Sequence, residues 1–286
     1  MYKFLIILLI LSILANIAGL YIFYKYYKTQ KHLERAMGQL ADANNQNERL
    51  LDILEKQVPY RLVFLHHSVG KGILYQGGLM DSLLKHGILA KGATYGSELG
   101  DYTDIPAWPD KFRNHMNEIL KFKAPPDKEY SDDRSNDIVM FKSCFPNSDI
   151  AVDGSGQIMT SANFKKHFQN LESSLAGQKD KLFIYLTAPP LNPKVTTLEN
   201  AKRAREFNYW LINDWLPAYK KNNDADNLVI FDLFDFLAND DNVLKNEYIG
   251  AIHDDSHPNE KANQEITAAF MQFFLPIWEQ WQAKSG

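Results

Sequence analysis

The chain has 286 residues, of which 45% are apolar, with a formal net charge of −4 and an isoelectric point of about 6.1. This length and composition allow one sizeable core of ~150–250 residues plus appendages. The acidic balance lacks the basic surplus typical of nucleic-acid-binding proteins, so no nucleic-acid partner is expected. The only cysteine, Cys144, excludes an intrachain disulfide and leaves the cellular compartment open.

Residues 4–24 form an uncharged apolar run, FLIILLILSILANIAGLYIFY. As a helix this run would span ~31 Å, about the thickness of one hydrocarbon core. The apolar sequence continues past a weak cleavage candidate in LANIAG, which favours an uncleaved anchor over residues 1–28 rather than a signal peptide. We therefore expect a single-pass protein of a bacterial inner membrane, with the lipid bilayer as partner through residues 4–24.

The charges that flank the apolar run bear on the orientation of the chain. Lys3 precedes the run, whereas Lys25, Lys28, Lys31 and Arg35 follow it. The positive-inside rule would then keep the remainder of the chain in the cytoplasm, but long domains can translocate despite flanking charge. The flanking residues alone leave the membrane side open.

Residues 29–59 carry a heptad pattern. Apolar residues or asparagines recur at alternating spacings of four and three, namely at positions 33, 37, 40, 44, 47, 51, 54 and 58. Asparagine in such a seam costs stability but fixes register and oligomeric state. The 33–58 seam is compatible with a single amphipathic helix on the main domain, and it favours a short parallel coiled coil that makes the protein a homo-oligomer. Pro59 ends the helix.

Residues 60–286 read as one α/β domain. Short runs rich in Val, Ile and Phe predict strands that begin near Arg61, Gly92, Asp137, Lys181 and Asn227. Helices are predicted between and after them, over 74–86, 108–122, 161–178, 198–221 and 259–284, and residues 124–137 as a polar loop. This alternation predicts a parallel sheet covered on both faces, whose ligands bind beyond the carboxyl ends of the strands.

Four polar segments are expected at that edge: HHSVGKG after the first strand, SCFPNSD after the third, APPLNP after the fourth and HDDSHPN before the last helix. HHSVGKG is not a Walker A loop, because Leu65 stands where the first glycine is needed and Gly72 where Ser or Thr is needed. The histidines at 66, 67, 253 and 257, with Asp254, leave a metal-dependent hydrolase as an alternative. Pro258 and Asn259 resemble a helix start, which places the last segment in a loop.

A nucleophilic serine needs a tight strand-to-helix turn, a histidine base and a carboxylate that orients the base. Ser68 lies in such a turn, with Gly70 giving the backbone room. Asp254 and His257 are three residues apart on one loop, and their spacing favours Asp254 over Asp255 as the orienting carboxylate. This set requires no metal and no cofactor.

These residues, in this order, resemble the SGNH hydrolases (GDSL-type esterases). The matching features are a serine after the first strand, an asparagine-bearing loop after the third, and Asp254-x-x-His257-Pro258 before the last helix. The resemblance covers roughly residues 61–281 and implies a flavodoxin-like three-layer α/β/α sandwich with Ser68 as nucleophile. His66-His67-Ser68 stands where the family has Gly-Asp-Ser, and CFPNSD stands where it has Gly-x-Asn-Asp.

The resemblance also implies an oxyanion hole. Its donors would be the Ser68 backbone N–H, the N–H of Gly96 or Gly100, and the Asn147 amide. Further candidates for lining the pocket are His66, His67, Lys142 and Ser143.

The combined expectation is a membrane-anchored serine esterase that removes or transfers acyl groups, above all acetyl, on a carbohydrate or envelope glycan. The resemblance and the tether favour an extracytoplasmic catalytic domain. The alternatives are a non-catalytic, membrane-anchored oligomeric assembly or glycan-binding protein, and the metal-dependent hydrolase.

Overall fold

The computed structural model describes residues 25, 28–29, 31, 53, 55–250 and 254–285. The chain divides into two units, Met1–Gln57 and Val58–Gly286, and the described residues of the first are helical. The predicted anchor at 4–24 and the heptad positions before Val58 lie outside the described residues. Within the described part of the chain, no helix combines the length and the apolar character that a membrane span requires.

The second unit is built on a five-stranded parallel sheet. The strands of the chain are β1 (Tyr60–Leu65), β2 (Ile88–Ala93), β3 (Phe122–Ala124), β4 (Lys128–Glu129), β5 (Ile138–Lys142), β6 (Leu182–Leu186) and β7 (Leu228–Phe231). The order across the main sheet is β2-β1-β5-β6-β7, and β3 and β4 form a separate antiparallel pair. The main sheet has the doubly wound, flavodoxin-like order that the family resemblance implied.

Helices cover both faces of this sheet. They are α1 (Ser68–Lys71), α2 (Leu79–Leu84), α3 (Trp108–Asn114), α4 (Met116–Lys121), α5 (Ser161–Ala176), α6 (Leu198–Trp210), α7 (Leu216–Asn223), α8 (Leu233–Leu237) and α9 (Glu260–Ser285). A π-helical turn, Gly72–Gln76, extends α1, and another, Leu211–Trp215, joins α6 to α7. Helices α1, α2 and α9 pack on one face, and α3, α5, α6 and α7 pack on the other.

The central strands are buried on both faces, which explains their uninterrupted apolar sequences. Every residue of β5 and β6 is buried. Successive residues point to opposite faces, so Phe141 joins the core cluster around α3 and α5, whereas Met140 joins the one around α9. The three-layer α/β prediction is confirmed.

The predicted helix over 74–86 was wrong in its bounds. Helical structure begins at Ser68 and is interrupted at Gly77–Gly78 before α2 begins at Leu79. Gly78 has φ of +70°, a left-handed conformation that favours glycine and ends the first segment. The first helix therefore begins at the candidate nucleophile itself.

Two other predicted segments differ in detail. The helix predicted over 108–122 is divided at His115 into α3 and α4. The predicted loop at 124–137 contains β4, and its Pro125–Pro126 peptide bond is cis. Neither difference changes which segments reach the carboxyl edge of the sheet.

Candidate active site

Ser68 lies at the junction between β1 and α1. The strand ends at Leu65, His66 and His67 continue the chain, and Ser68 is the first helical residue. A Cβ at Gly70 would lie 2.4 Å from the His66 Cβ, so the glycine lets the helix pack closely above the end of the strand. This close turn carries the serine to the carboxyl edge of the sheet.

The histidine that reaches the Ser68 hydroxyl comes from far along the chain. The His257 Nε2 atom lies 2.5 Å from the Ser68 Oγ atom, across a separation of 189 residues. On the other side of the ring, Nδ1 contacts the Oδ1 atom of Asp255. With the Nδ1 proton donated to Asp255, Nε2 is the acceptor for the Ser68 hydroxyl. The three side chains thus form a continuous hydrogen-bonded relay.

The carboxylate of this relay is Asp255, and the choice of Asp254 from spacing was wrong. Asp255 Oδ1 accepts from His257 Nδ1 and also from the His257 backbone N–H at 3.0 Å. Asp254 is exposed, and its Oδ1 lies 3.7 Å from Lys194 Nζ. The turn of the chain between the two aspartates directs Asp255 inward, so one side chain can hold both the ring and the backbone of His257.

The electrostatics of Asp255 fit an orienting carboxylate. Partial burial raises the pKa of its carboxyl group, but the hydrogen bonds from the His257 side chain and backbone lower it, and the net shift is downward. The side chain is therefore ionised over the neutral pH range. An ionised carboxylate stabilises the imidazolium that forms when His257 takes a proton.

The segment APPLNP holds the loop that carries His257 in place. Asn192 donates from Nδ2 to the backbone oxygen of Asp255 at 3.1 Å, and its own N–H donates to the buried Ser256 hydroxyl at 3.0 Å. The Phe145 ring meets the His257 ring edge-on, with 5.1 Å between centroids. The sequence placed these segments at one edge but did not identify Asn192, Ser256 or Phe145 as positioning residues.

Asn147 is not available as an oxyanion donor. Its side chain is buried, and its Nδ2 group donates to Asp104 Oδ1 at 2.5 Å and to the Cys144 carbonyl at 3.2 Å. Its Oδ1 atom accepts from the Ile105 N–H at 2.9 Å, which fixes the orientation of the amide. Both amide protons are thus engaged, and Asn147 fastens the loop after β2 to the loop after β5.

The two candidate glycines are also engaged. The Gly96 N–H donates to Asp101 Oδ1 at 3.1 Å, and the Gly100 N–H donates to the Ser97 hydroxyl at 2.9 Å. A Cβ at Gly100 would lie 1.9 Å from the Thr94 carbonyl oxygen, so this glycine is required by the close path of its own loop. The remaining predicted oxyanion donor is the Ser68 N–H. It lies in the first turn of a helix, where the backbone N–H groups have no intrahelical acceptor.

The His66-His67 pair serves the structure of the turn. His66 is buried, and its Nδ1 donates to the His67 carbonyl at 2.7 Å. His67 directs Nε2 to the Gly100 carbonyl at 3.1 Å and stacks on Tyr95, with ring centroids 4.1 Å apart. Neither ring contacts Ser68 or His257 in these hydrogen bonds and stacking contacts, and His66 lines a second cleft, which is described below.

Lys142 and Ser143 lie in the interior and do not line the cleft beside Ser68. The ammonium group of Lys142 donates to the Ser143 carbonyl at 2.7 Å, and burial lowers its pKa to about 8. The Ser143 hydroxyl accepts from Trp108 Nε1 at 2.8 Å and from the Tyr185 hydroxyl at 3.3 Å. Both residues are fully buried, so their prediction as pocket residues was wrong.

A cleft of about 610 Å³ opens beside the relay. Ser68, Asp255 and His257 form part of its wall, with Tyr75 and Asn263 among the other lining residues. A space of this size, open to solvent, admits a substrate considerably larger than a simple short-chain ester. Among the described residues, no group of three His, Cys, Asp or Glu side chains lies close enough together to hold a metal ion, and His253 lies outside them.

No family model and no curated protein matches this sequence. Among solved structures, the chain is similar to a proposed acylhydrolase from Bacteroides fragilis, at 15% identity over 76% of this chain and 90% of that one, with a TM-score of 0.44. A Streptococcus pneumoniae protein, described as a proposed platelet activating factor, is 14% identical over 83% and 98% of the two chains, with a TM-score of 0.44.

A carbohydrate esterase family 2 enzyme with a carbohydrate-binding domain, from Corynascus thermopiles, is 13% identical over 75% of this chain and 66% of that one, with a TM-score of 0.41. At this level of likeness, the activity of the present chain has to be inferred from its own residues.

Proposed function

We propose that the chain is a serine esterase of the SGNH type. The observation that carries this proposal is the relay from Ser68 Oγ through His257 to Asp255, drawn from two distant segments to one cleft. A structural serine at a helix start would need no histidine on its hydroxyl. A histidine held on one side by a carboxylate and on the other by a serine is the arrangement that activates a nucleophile.

The reaction follows from the geometry. The Ser68 oxygen attacks the ester carbonyl carbon while its proton passes to His257 Nε2, and Asp255 stabilises the resulting imidazolium. When the tetrahedral intermediate collapses, His257 gives that proton to the leaving alkoxide. Water, or a sugar hydroxyl, then attacks the acyl-enzyme with His257 as base. The bond between the acyl carbon and Ser68 Oγ breaks, and His257 returns the proton to the serine. The Ser68 N–H is the proposed oxyanion donor, and one such donor typically contributes ~3–4 kcal/mol.

The finer proposal concerns substrate and place. The open cleft beside Ser68 suits an acyl group, such as acetyl, on a carbohydrate rather than a small free ester. The apolar run at residues 4–24 supports a bilayer anchor, and the 33–58 heptads support a homo-oligomer. An enzyme anchored in this way on the extracytoplasmic side of a bacterial inner membrane would face envelope glycans.

The direct test compares the wild-type chain with Ser68→Ala. We expect the variant to lose hydrolysis of p-nitrophenyl acetate by about 10³-fold or more and to lose labelling by a fluorophosphonate probe, because both need the serine oxygen. Ser173→Ala is the matched control for labelling, since Ser173 is an exposed serine on α5 and lies outside the relay. Wild-type turnover by Ser68→Ala would contradict the proposal. An intact wild-type fold that is inert to the probe would favour the non-catalytic binding protein.

A further inference from the structure

A second cleft, of about 360 Å³, adjoins the one beside Ser68. Lys71 and Tyr75 line both clefts, so the two spaces lie on either side of these side chains. Lys71 is three residues after Ser68 on the same helix, which places the boundary about one helical turn, ~5 Å, from the nucleophile. That is about the length of one sugar unit, so a glycan with its ester at Ser68 would reach the second cleft with a neighbouring unit.

The second cleft is lined by lysines from three separate elements. Lys71 comes from α1, Lys91 from β2 and Lys123 from β3, and Lys91 and Lys123 are half-buried. A concave surface that gathers several cationic side chains between low-dielectric walls concentrates the electric field and attracts anionic ligands.

Two tyrosines add flat surfaces to this cleft. Tyr75 and Tyr95 line it with side chains that are 61% and 57% exposed. Tyr95 is held by stacking on His67, which in turn is fixed by its bond to the Gly100 carbonyl. Tyrosine combines a broad apolar face with a polar tip, a combination suited to a sugar ring.

The wall of the cleft includes a buried acceptor without a donor. Because His66 Nδ1 donates to the His67 carbonyl, Nε2 carries a lone pair, and no hydrogen-bond donor among the described residues reaches it. His66 is only 1% exposed, and burial lowers its pKa to about 4, so the ring is neutral. A buried acceptor that lacks a donor costs free energy, and a hydroxyl-bearing ligand relieves that cost.

We propose that this lysine-lined cleft binds an anionic sugar unit next to the acylated unit, so that the substrate is an acylated acidic glycan. The inference rests on the proposed function, because it assigns a substrate class to the same site. The lysines recognise the anionic group, the tyrosines contact the ring and His66 Nε2 accepts from a hydroxyl. The anion is a carboxylate or a phosphate.

The test uses the full-length chain in nonionic detergent and measures inhibition of p-nitrophenyl acetate hydrolysis by three oligomers of equal length. They are an oligogalacturonate, a glycerol phosphate oligomer and a neutral xylo-oligosaccharide. We expect at least one anionic oligomer to have an inhibition constant about tenfold below that of the neutral one. The anionic oligomer with the lower inhibition constant identifies the recognised group as a carboxylate or a phosphate. Equal inhibition by all three would overturn the proposal.

Variants then assign the preference to the cleft. Lys91→Gln/Lys123→Gln should abolish the advantage of the anionic oligomer, and Lys91→Arg/Lys123→Arg should retain it. The control Lys166→Gln/Lys202→Gln, at exposed positions on α5 and α6, should also retain it. If the glutamine pair melts like the wild type and keeps the preference, the proposal is wrong. If that pair fails to fold, the wild type provides the test. Added salt must then weaken inhibition by the anionic oligomer more than inhibition by the neutral one. A preference for the anionic oligomer that does not change with salt would overturn the proposal.

Calorimetric titration of the same oligomers into the wild-type and Ser68→Ala chains separates this inference from the proposed function. If the chain binds the anionic oligomers through the lysines but hydrolyses no ester, the anion-binding cleft is supported and the proposed esterase activity is wrong. If the chain hydrolyses the ester but shows no preference for anionic oligomers in either assay, the esterase activity is supported and the acidic-glycan substrate is wrong.

Discussion

The polar groups of the relay and those of the neighbouring loops have opposite roles. Ser68, Asp255 and His257 are partly exposed and face a cleft, and the Ser68–His257 bond can be exchanged for a bond to substrate. Asn147 and the N–H groups of Gly96 and Gly100 are engaged by neighbouring loop residues. Polar residues at the functional edge of a sheet therefore divide into those that act on a ligand and those that hold the loops in place.

The largest expected effect tests which aspartate belongs to the relay. Asp255→Asn should lower kcat/KM for p-nitrophenyl acetate by about 10³–10⁴-fold, because an amide cannot stabilise the imidazolium or hold the same tautomer. Asp254→Asn is the matched control and should stay within about twofold, since Asp254 is exposed and lies near Lys194. Steady-state kinetics of both variants provide the measurement. A large loss in Asp254→Asn with little change in Asp255→Asn would make Asp254 the orienting residue.

The second prediction concerns Lys142, the buried cation at the end of β5. Lys142→Met should raise the free energy of unfolding at neutral pH by about 3 kcal/mol, because the pKa of about 8 reflects the cost of burying the charge. The unfolded lysine binds more protons than the folded one between about pH 8 and its ordinary pKa of 10.5. Wild-type stability should therefore gain a contribution across that window as pH rises, and the variant should lack it.

Urea unfolding of the wild type, Lys142→Met and the exposed control Lys166→Met, at neutral pH and at pH values across that window, measures this effect. A destabilised Lys142→Met with wild-type pH dependence would show that the ammonium contributes more to the fold than its burial costs.

The smallest effect separates a structural from a catalytic amide. Asn147→Ala should lower the free energy of unfolding by about 2 kcal/mol, because it leaves the buried Ile105 N–H without its acceptor and removes one donor from the Asp104 carboxylate. Chemical denaturation and steady-state kinetics on the same preparation provide the measurement. A variant of unchanged stability whose kcat falls by about 10²–10³-fold would instead make Asn147 an oxyanion donor.

The sequence predicted the sheet well because its central strands are buried on both faces. β5 and β6 have no exposed residue, so their apolar runs were unambiguous. The helix bounds around Gly78 were less predictable, because a single glycine in a helical pattern does not show whether the backbone will turn left-handed there. Local pattern predicts an element more reliably than its ends.

The sequence could predict those parts of the site that follow from the order of segments along the chain. Ser68 and His257 belong to segments that the parallel sheet brings to one edge, and the structure places their side chains in contact. Asp254 and Asp255 differ by one position, and only the path of the turn decides which faces the ring. The engagement of Asn147 and Gly100 depends on Asp104 and Ser97, residues outside any motif.

The position of His257, immediately before α9, has a consequence for biosynthesis. The base follows the nucleophile by 189 residues, and α9 contributes Ile266, Phe270 and Phe274 to one half of the core. Since a chain is synthesised from its amino terminus, every incomplete product that stops before this loop carries Ser68 without its base. The proposed enzyme would therefore stay inactive until His257 has been synthesised, and termination before this loop would release no active esterase.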